Sequence, residues 1–298
     1  MKAKASFILV MLLFGSIGLF VKNINLSSSE IALFRGAIGS LFLIGASFFI
    51  RQKFNFKTTK RNLLFLVISG TAMGFNWIFL FEAYQYTTIS NATLSYYFAP
   101  VFVMVLAPFL LREKWTLKKG FSIVIALVGL FLVVQPDAGL INQSYNHPIG
   151  IAFGLLAAGL YASVILINKF IKDLSDYETT VMQLSIASII LFPYVAFTEK
   201  MNYTNLGMQS IILVLVLGII HTGFAYLLYF SSMKKLKGQT IGVLSYIDPI
   251  SAVVMAAIIL SESMSAVQMV GGIFILGSTL ISEVTIRKPK GNKRFVGE

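Results

Sequence analysis

Ten apolar segments, each about as long as a bilayer is thick, follow one another along this chain. A helix needs roughly 20 apolar residues to cross the hydrocarbon core of a membrane. Only 12% of the residues are charged, whereas soluble domains typically carry about 25%. The sequence therefore predicts an all-α membrane protein with ten transmembrane helices, which we number as spans 1 to 10. We predict the spans at residues 4–22, 30–50, 62–83, 89–111, 117–135, 149–169, 178–198, 208–232, 239–261 and 265–286.

The positive charges lie almost entirely in alternate loops, on a side that we call the basic face. Of the 24 Lys and Arg residues, all but Lys22, Arg35 and Lys200 fall on this side. Loops rich in Lys and Arg stay in the cytoplasm, so we expect a multi-pass protein of a bacterial cell membrane with both termini cytoplasmic. Orientation and contact with anionic lipid then explain the net charge of +12, and we expect no nucleic acid partner.

The chain contains an internal repeat, the kind of feature that decides the fold before local patterns do. Residues 81–113 align with residues 230–262 without a gap, at an offset of 149. A tyrosine, a proline three residues later and a glutamate thirteen residues beyond the proline recur in both copies. The recurring residues are Tyr97, Pro100 and Glu113 in the first copy and Tyr246, Pro249 and Glu262 in the second.

The repeat divides the chain into two halves of five spans each. A second match, of residues 30–35 with residues 178–183, supports the division at an offset of 148. Because five is odd, the second half must insert upside down relative to the first, an arrangement common in transporters and rare elsewhere. We predict a first repeat over residues 1–140 and a second over residues 141–298, with a polar linker at residues 136–148.

Pro100 and Pro249 lie early in spans 4 and 9. Each removes one backbone hydrogen bond and is expected to kink its helix. A matched pair of interrupted helices in two inverted halves indicates a binding site near the membrane midplane; a kink without a functional role is an equal alternative. Tyr97 and Tyr246, which precede the prolines, are expected to face the same cavity or a neighbouring helix.

Two titratable side chains within the spans are candidates for proton transfer. Asp248 lies in an apolar segment, where a carboxylate is costly and usually faces a cavity, a partner or a proton path. We interpret Asp248 as functional and keep a structural hydrogen bond as the alternative. His221 has a side chain that changes charge near neutral pH, although a lone buried histidine is more often hydrogen-bonded only.

Arg35 is the one Lys or Arg that lies away from the ends of a predicted span. It reaches outward toward the lipid headgroups, pairs with Glu30 or receives a carboxylate of a bound solute, and we favour the pairing. Glu113 and Glu262 end spans 4 and 9, where we expect them to anchor a helix end or a loop. All three are therefore predicted as structural polar residues.

Aromatic residues share a face of span 3 with an amide. Asn76, Trp77 and Tyr84 recur at helical spacing, which places them on one side of the helix. Such a face suits a small organic solute, and ordinary packing produces it equally well.

Several classes of function are excluded by what the sequence lacks. The chain has no cysteine and two histidines, so disulfides, thiol nucleophiles and histidine metal clusters are excluded. Zinc-protease, nucleophile-elbow and phosphate-loop motifs are also missing. We therefore expect no enzyme activity, no cofactor, no metal site and no transport powered by the chain's own ATP hydrolysis.

Short motifs in both halves resemble the drug/metabolite transporter superfamily, specifically proteins with two EamA domains. The resemblance covers nearly the whole chain and implies a secondary carrier, often an exporter of amino acids or other metabolites, with a cavity between the halves. The family often has Glu where this chain has Asp248, and Arg where it has Arg35. The motifs are F-E-A-Y-Q-Y-T-T at 81–88, Y-Y-F-A-P at 96–100, L-L-R-E at 110–113, S-Y-I-D-P at 245–249 and I-L-S-E-S at 259–263.

The sequence as a whole predicts a carrier that works by alternating access around a midplane site. We expect spans 1, 3, 4, 6, 8 and 9 to line the cavity, with aromatic side chains as walls. Asp248 is the first candidate for proton coupling and His221 the second. The predicted substrate-binding residues are Asn76, Trp77, Tyr84, Tyr97, Tyr161, His221, Tyr226, Tyr246 and Asp248.

Two other functions fit the same pattern. One is a carrier of quaternary amines, which ring faces bind through cation–π contacts. The other is a membrane receptor or assembly subunit that transports nothing. The expected partners are a small-molecule solute and membrane lipid, and the chain is predicted to be a monomer or a homodimer.

Overall fold

The fold is helical throughout the part of the chain that the structure describes, without a β-strand there. This confirms the all-α prediction. Nine helices in that part are long and apolar enough to cross a membrane, and a shorter apolar stretch at Ala266–Ile281 corresponds to span 10. The end of predicted span 10 and most of the predicted linker lie outside the described residues. The computed structural model describes residues 2–49, 59–134, 145–200, 203 and 206–283.

Seven spans are single helices and three are interrupted. Spans 1, 2, 3, 5, 6, 7 and 10 are the helices Lys2–Lys22, Ser28–Phe49, Lys60–Tyr86, Leu117–Val134, His147–Asn168, Asp176–Thr198 and Ala266–Glu283. Span 4 consists of Ile89–Tyr96 and Ala99–Leu110, and span 9 of Gly238–Ser245 and Ile247–Ile259. Span 8 consists of Met208–Val216, a π-helical stretch at Leu217–Phe224 and Ala225–Met233.

The interruptions of spans 4 and 9 fall just before Pro100 and Pro249. Pro100 is the second residue of its helix and Pro249 the third. A proline has no N–H to donate and is tolerated in the first turn of a helix, where that donor has no partner in any case. The proline thus begins a new helix, and the break lies at the same place in both repeats.

Identical caps begin spans 2 and 7, at the offset of 148 seen in the sequence. In span 2, the Ser27 N–H donates to Glu30 Oε2 at 2.9 Å, and the Glu30 N–H donates to Ser27 Oγ at 3.2 Å. Ser175 and Glu178 make the same two bonds at 2.9 and 3.2 Å. These are capping boxes, which satisfy the free N–H groups of a helix start. The Glu30 carboxylate therefore caps the start of its own helix.

The two halves interleave, because each span of one half packs on a span of the other. Span 1 packs on span 9 and span 4 on span 6, while span 2 packs on span 8 and span 3 on span 7. Spans 5 and 10 pack on each other. The outer surface carries large exposed apolar side chains, among them Phe49, Phe197 and Leu117, as expected of helices that face lipid.

The contact between spans 5 and 10 depends on two glycines. A Cβ added to Gly271 would lie 2.6 Å from the Gly129 carbonyl oxygen, and a Cβ on Gly129 would lie 2.6 Å from the Gly271 oxygen. Small residues at such crossings let two helix backbones approach closely. By contrast, a Cβ on Gly277, six residues further along span 10, would meet nothing within 4 Å.

We expect Gly271→Ala to destabilise the protein by about 1–3 kcal/mol, because the methyl group forces spans 5 and 10 apart. Gly277→Ala, on the same helix, is expected to be neutral or slightly stabilising, because alanine is the better helix former. Thermal unfolding of the two purified variants measures the difference. Equal stabilities would show that the spans do not cross at Gly271.

Candidate functional site

A cavity of about 550 Å³ lies between the two halves. It is lined by residues of spans 1, 3, 4, 6, 8 and 9, the spans expected from the sequence, and also by Arg35 of span 2 and by residues of span 7. Among the predicted binding residues, seven line this cavity. They are Asn76, Trp77, Tyr84, Tyr97, Tyr161, Tyr226 and Asp248.

Asp248 and Tyr97 meet where the two broken spans come together. The Tyr97 hydroxyl donates to Asp248 Oδ2 at 2.5 Å. Asp248 lies in the first turn of the second helix of span 9, where the helix dipole favours negative charge. Span 1 fixes this turn, since a Cβ on Gly15 would lie 2.6 Å from the Asp248 carbonyl oxygen. The carboxyl group is thus held rigidly in the cavity wall.

Aromatic rings form two further patches of the wall. Tyr96 contacts Tyr97 at 6.1 Å and Tyr161 at 5.6 Å between ring centroids. On the other side, Phe14 contacts Tyr226 at 5.6 Å. Offset and edge-on ring pairs of this kind hold one another in place. Much of the cavity wall is therefore aromatic, and its rings pack on one another.

Asn76 has a packing role as well as a place in the cavity wall. Its Nδ2 donates to the Ala157 carbonyl oxygen at 2.6 Å, which ties span 3 to span 6. Its side chain is 1% exposed. Only part of the amide is therefore left for a bound solute.

Arg35 does not pair with Glu30, so the pairing favoured from the sequence is wrong. Glu30 caps its own helix, and Arg35 Nε donates instead to Thr222 Oγ1 at 2.9 Å. The guanidinium carbon lies 4.5 Å from the centroid of the Trp77 ring. Arg35 lines the cavity. The sequence predicted a structural role for it and did not place it there.

His221 does not line the cavity. Its Nε2 is 2.9 Å from Ser16 Oγ, and its Nδ1 is 3.3 Å from the Val216 carbonyl oxygen. The ring packs edge-on against Phe20 at 4.5 Å and is 1% exposed. These contacts tie the π-helical stretch of span 8 to span 1 and place His221 outside the cavity that we expected it to line from the sequence.

Tyr246 is the second predicted residue that the structure places outside the cavity. Its hydroxyl lies 2.5 Å from Thr279 Oγ1, on span 10. Tyr246 occupies the break in span 9, between Ser245 and Ile247, so its direction does not follow the helical face of either piece. Ser245 and Asp248, on either side of the break, line the cavity instead.

Several cavity residues were missing from the prediction. Tyr229 lies one helical turn beyond Tyr226, so helical spacing from Tyr226 could have predicted it. Phe14 lies in span 1, where no predicted binding residue gave a starting point for such spacing. Gln183, which aligns with Arg35 in the repeat, also lines the cavity. Its Nε2 donates to Ser69 Oγ and to Asn168 Oδ1, both at 2.7 Å.

The cavity reaches the basic face. Ile171 and Leu174, in the loop between spans 6 and 7, line it there, together with Met233 at the end of span 8. Ile17 and Tyr84, which lie in the halves of spans 1 and 3 toward the opposite face, also line it. Among the described residues, no three His, Cys, Asp or Glu side chains are grouped so as to hold a metal ion.

Glu262 closes the structure at the face opposite the basic one. Its Oε1 is 2.9 Å from Lys22 Nζ and accepts the Ile89 N–H at 2.9 Å, while Oε2 accepts the Ser90 N–H at 3.2 Å. One carboxylate thus joins span 1, the loop after span 9 and the start of span 4. Its side chain is 6% exposed. We call this group the outer latch.

Glu113, the counterpart of Glu262 in the other repeat, makes no such contacts with the described residues. It pairs at 2.8 Å with Lys119, in the first turn of span 5, and its side chain is 48% exposed. Lys237 begins the helix Gly238–Ser245 of span 9 without a side-chain cap. The two faces therefore differ, with the latch formed at the face opposite the basic one and its counterpart open at the basic face.

The fold and the cavity between inverted halves define a polytopic membrane transporter. The EamA-like transporter family matches residues 1–135 and 148–283, and the chain belongs to this family. It is 33% identical over 285 residues to the uncharacterized transporter YxxF of Bacillus subtilis (strain 168), covering 96% of this chain and 90% of that protein. The family predicted from the motifs is thus confirmed.

Two further comparisons place the chain in a wider group. It is 29% identical over 220 residues to solute carrier family 35 member G1 of Mus musculus, covering 70% of this chain and 59% of the mouse protein. A solved crystal structure with 17% sequence identity superposes with a TM-score of 0.65 and covers 94% of this chain and 98% of the other. That likeness shows the fold alone.

Proposed function

We propose that the protein is a secondary-active carrier that moves a small organic metabolite across a bacterial cell membrane by alternating access. The observation that carries the proposal is the cavity between the two halves, which reaches the basic face and is latched at the opposite face. A carrier needs two such arrangements of one site, one open to each side. A cavity that is open at the basic face and latched at the opposite face is what one of these two arrangements requires, and this supports the proposal.

The orientation follows from the charges. If the Lys- and Arg-rich loops are cytoplasmic, the cavity faces the cytoplasm, and a solute from inside the cell has direct access to it. An exporter binds its solute in a state of this kind. If transport is coupled to protons, we propose that Asp248 carries the proton. Its carboxyl group lies in the cavity wall and accepts a hydrogen bond from Tyr97.

A quaternary-amine carrier is the second candidate, favoured by the aromatic walls. Tyr96, Tyr161 and Tyr226 present rings to the cavity, and ring faces bind cations. Arg35 in the same wall argues against it, since a fixed positive charge repels a cationic solute. Solute flux in liposomes that contain only this protein would exclude the third alternative, a receptor or assembly subunit.

Ligand-induced stabilisation tests the position of the site. A ligand that binds the folded state raises its apparent stability by mass action. Purified protein is therefore heated with amino acids, quaternary amines, nucleosides and sugars. For any solute that stabilises the wild type, we expect Tyr226→Leu to weaken binding roughly tenfold, or about 1.4 kcal/mol, because the ring lines the cavity.

The matched control is Tyr246→Phe. It removes a hydroxyl that lies against Thr279, outside the cavity, so the affinity is expected to stay at the wild-type value. Loss of binding in Tyr246→Phe with none in Tyr226→Leu would place the site elsewhere.

A further inference from the structure

We propose that Arg35 binds an acidic group of the solute, so that the substrates of this carrier are small organic carboxylates, zwitterions included. The inference rests on the proposed function, because Arg35 lies in the wall of the same cavity. It goes further by naming the chemical group that the cavity selects and the residue that selects it.

The first observation is a buried positive charge without an ion pair. Arg35 is 4% exposed, and among the described residues the ion pairs within 4.0 Å are those of Lys22 with Glu262 and of Lys119 with Glu113. Arginine is almost never fully buried unless it is paired, because an unpaired buried charge is costly. A bound anion supplies the missing partner.

The second observation is the number of hydrogen bonds that Arg35 leaves unmade. A guanidinium has five N–H donors. Nε donates to Thr222, and the four N–H groups on the two terminal nitrogens have no acceptor among the described residues. These four are the donors that bind both oxygens of a carboxylate side by side.

The third observation is that the guanidinium is already held in place. It stacks on Trp77 at 4.5 Å and lies 5.9 Å from the centroid of the Phe81 ring. Thr222, which accepts from Nε, itself donates to the Leu217 carbonyl oxygen at 2.9 Å within the π-helical stretch. A fixed fork of donors loses little freedom when an anion binds, which favours affinity.

Three acids of the chain are engaged elsewhere, and a fourth, Asp176, lines the cavity in the first turn of span 7, at the basic face. Glu30 caps its own helix, Glu262 binds Lys22 and two backbone amides, and Asp248 accepts from Tyr97. With Arg35 on one wall and Asp248 on another, a zwitterion can direct its carboxylate to the arginine and its amine to the aspartate. A quaternary amine without an acidic group leaves Arg35 unpaired.

The chain offers a built-in reporter for the test. It has two tryptophans, Trp77 against Arg35 and Trp115 in an exposed loop. In a Trp115→Phe background, the fluorescence of Trp77 is titrated with three probes that share one ring: 3-phenylpropionate, phenylalanine and phenethylamine. We expect the two carboxylates to change the emission saturably and the amine to leave it unchanged.

The variants locate the effect at Arg35. Arg35→Gln is expected to weaken carboxylate binding roughly tenfold to hundredfold, the range expected when hydrogen bonds to a charged group are lost. Arg35→Lys keeps the positive charge but not the paired N–H donors, and we expect it to lower the carboxylate affinity at least tenfold. This variant serves as the test if Arg35→Gln does not fold. Lys119→Gln removes a cation outside the cavity and should bind as the wild type does.

Three results would overturn the proposal: equal binding of phenethylamine, retained carboxylate affinity in the Arg35 variants, or no response of Trp77 to either carboxylate up to the solubility limit. Flux in liposomes separates this from the proposed function. Carboxylate binding without flux would contradict the carrier function and support the Arg35 site. Flux of amines alone would contradict the Arg35 site and support the carrier function.

Discussion

Replacing Asp248 with asparagine is expected to abolish proton-driven transport while leaving solute exchange in place. Asparagine has nearly the same shape, and its side-chain oxygen still accepts the hydrogen bond that Tyr97 donates at 2.5 Å. It cannot release a proton, so the carrier behaves as though it were permanently protonated. Carboxylates inside membrane spans commonly serve as such relays.

The measurement uses purified protein in liposomes with a pH gradient. Proton-driven solute accumulation in the variant should fall to the level of protein-free liposomes, a loss of at least about tenfold in rate, while counterflow exchange persists. Asp173→Asn is the control, because Asp173 is exposed in the loop between spans 6 and 7 at φ 61°, a conformation that asparagine tolerates. Unchanged proton-driven accumulation in Asp248→Asn would contradict the assignment.

Replacing Glu262 with glutamine is expected to open the outer latch. The change removes the charge that binds Lys22 at 2.9 Å and weakens the bonds from the Ile89 and Ser90 amides. Hydrogen bonds to charged groups contribute about 1.5–3 kcal/mol each. A loss of that size shifts the balance between closed and open states by roughly tenfold or more.

Because the chain lacks cysteine, one introduced thiol reports on access without further changes. Ile17→Cys places it in the cavity lining, in the half of span 1 toward the latched face. A membrane-impermeant maleimide added at that face should label it roughly tenfold faster when Glu262→Gln is present. Glu113→Gln, the same change in the other repeat, breaks only an exposed pair with Lys119 and should not accelerate labelling. Equal rates for the two variants would show that Glu262 does not hold the cavity closed.

The spans, the repeat and the helix breaks were predictable because they depend on patterns that local chemistry imposes. Apolar length defines a span, and proline cannot continue a helix. The capping boxes were also readable, since serine precedes Glu30 and Glu178 by three residues. That spacing predicts a cap, and applying it would have removed Glu30 as a partner for Arg35.

The two predicted residues that lie outside the cavity, His221 and Tyr246, do so for a common physical reason. His221 lies in a π-helical stretch and Tyr246 in a helix break, and at both places the 3.6-residue period no longer gives the direction of a side chain. The insertion of π-helical geometry turns the following residues around the helix axis. Single sequences carry no clear signal for such a turn, so the faces of spans 8 and 9 could not be assigned from spacing alone.

Solute counterflow in liposomes that contain only this protein tests the central claim most directly, namely that the cavity is a transport path open to each side in turn. Amino acids and other small carboxylates are preloaded inside, and the labelled solute is added outside. We predict saturable uptake that requires the preloaded solute and falls when Trp77→Ala removes the wall beside Arg35. Uptake no faster than in protein-free liposomes for every amino acid, amine, nucleoside and sugar would contradict the account.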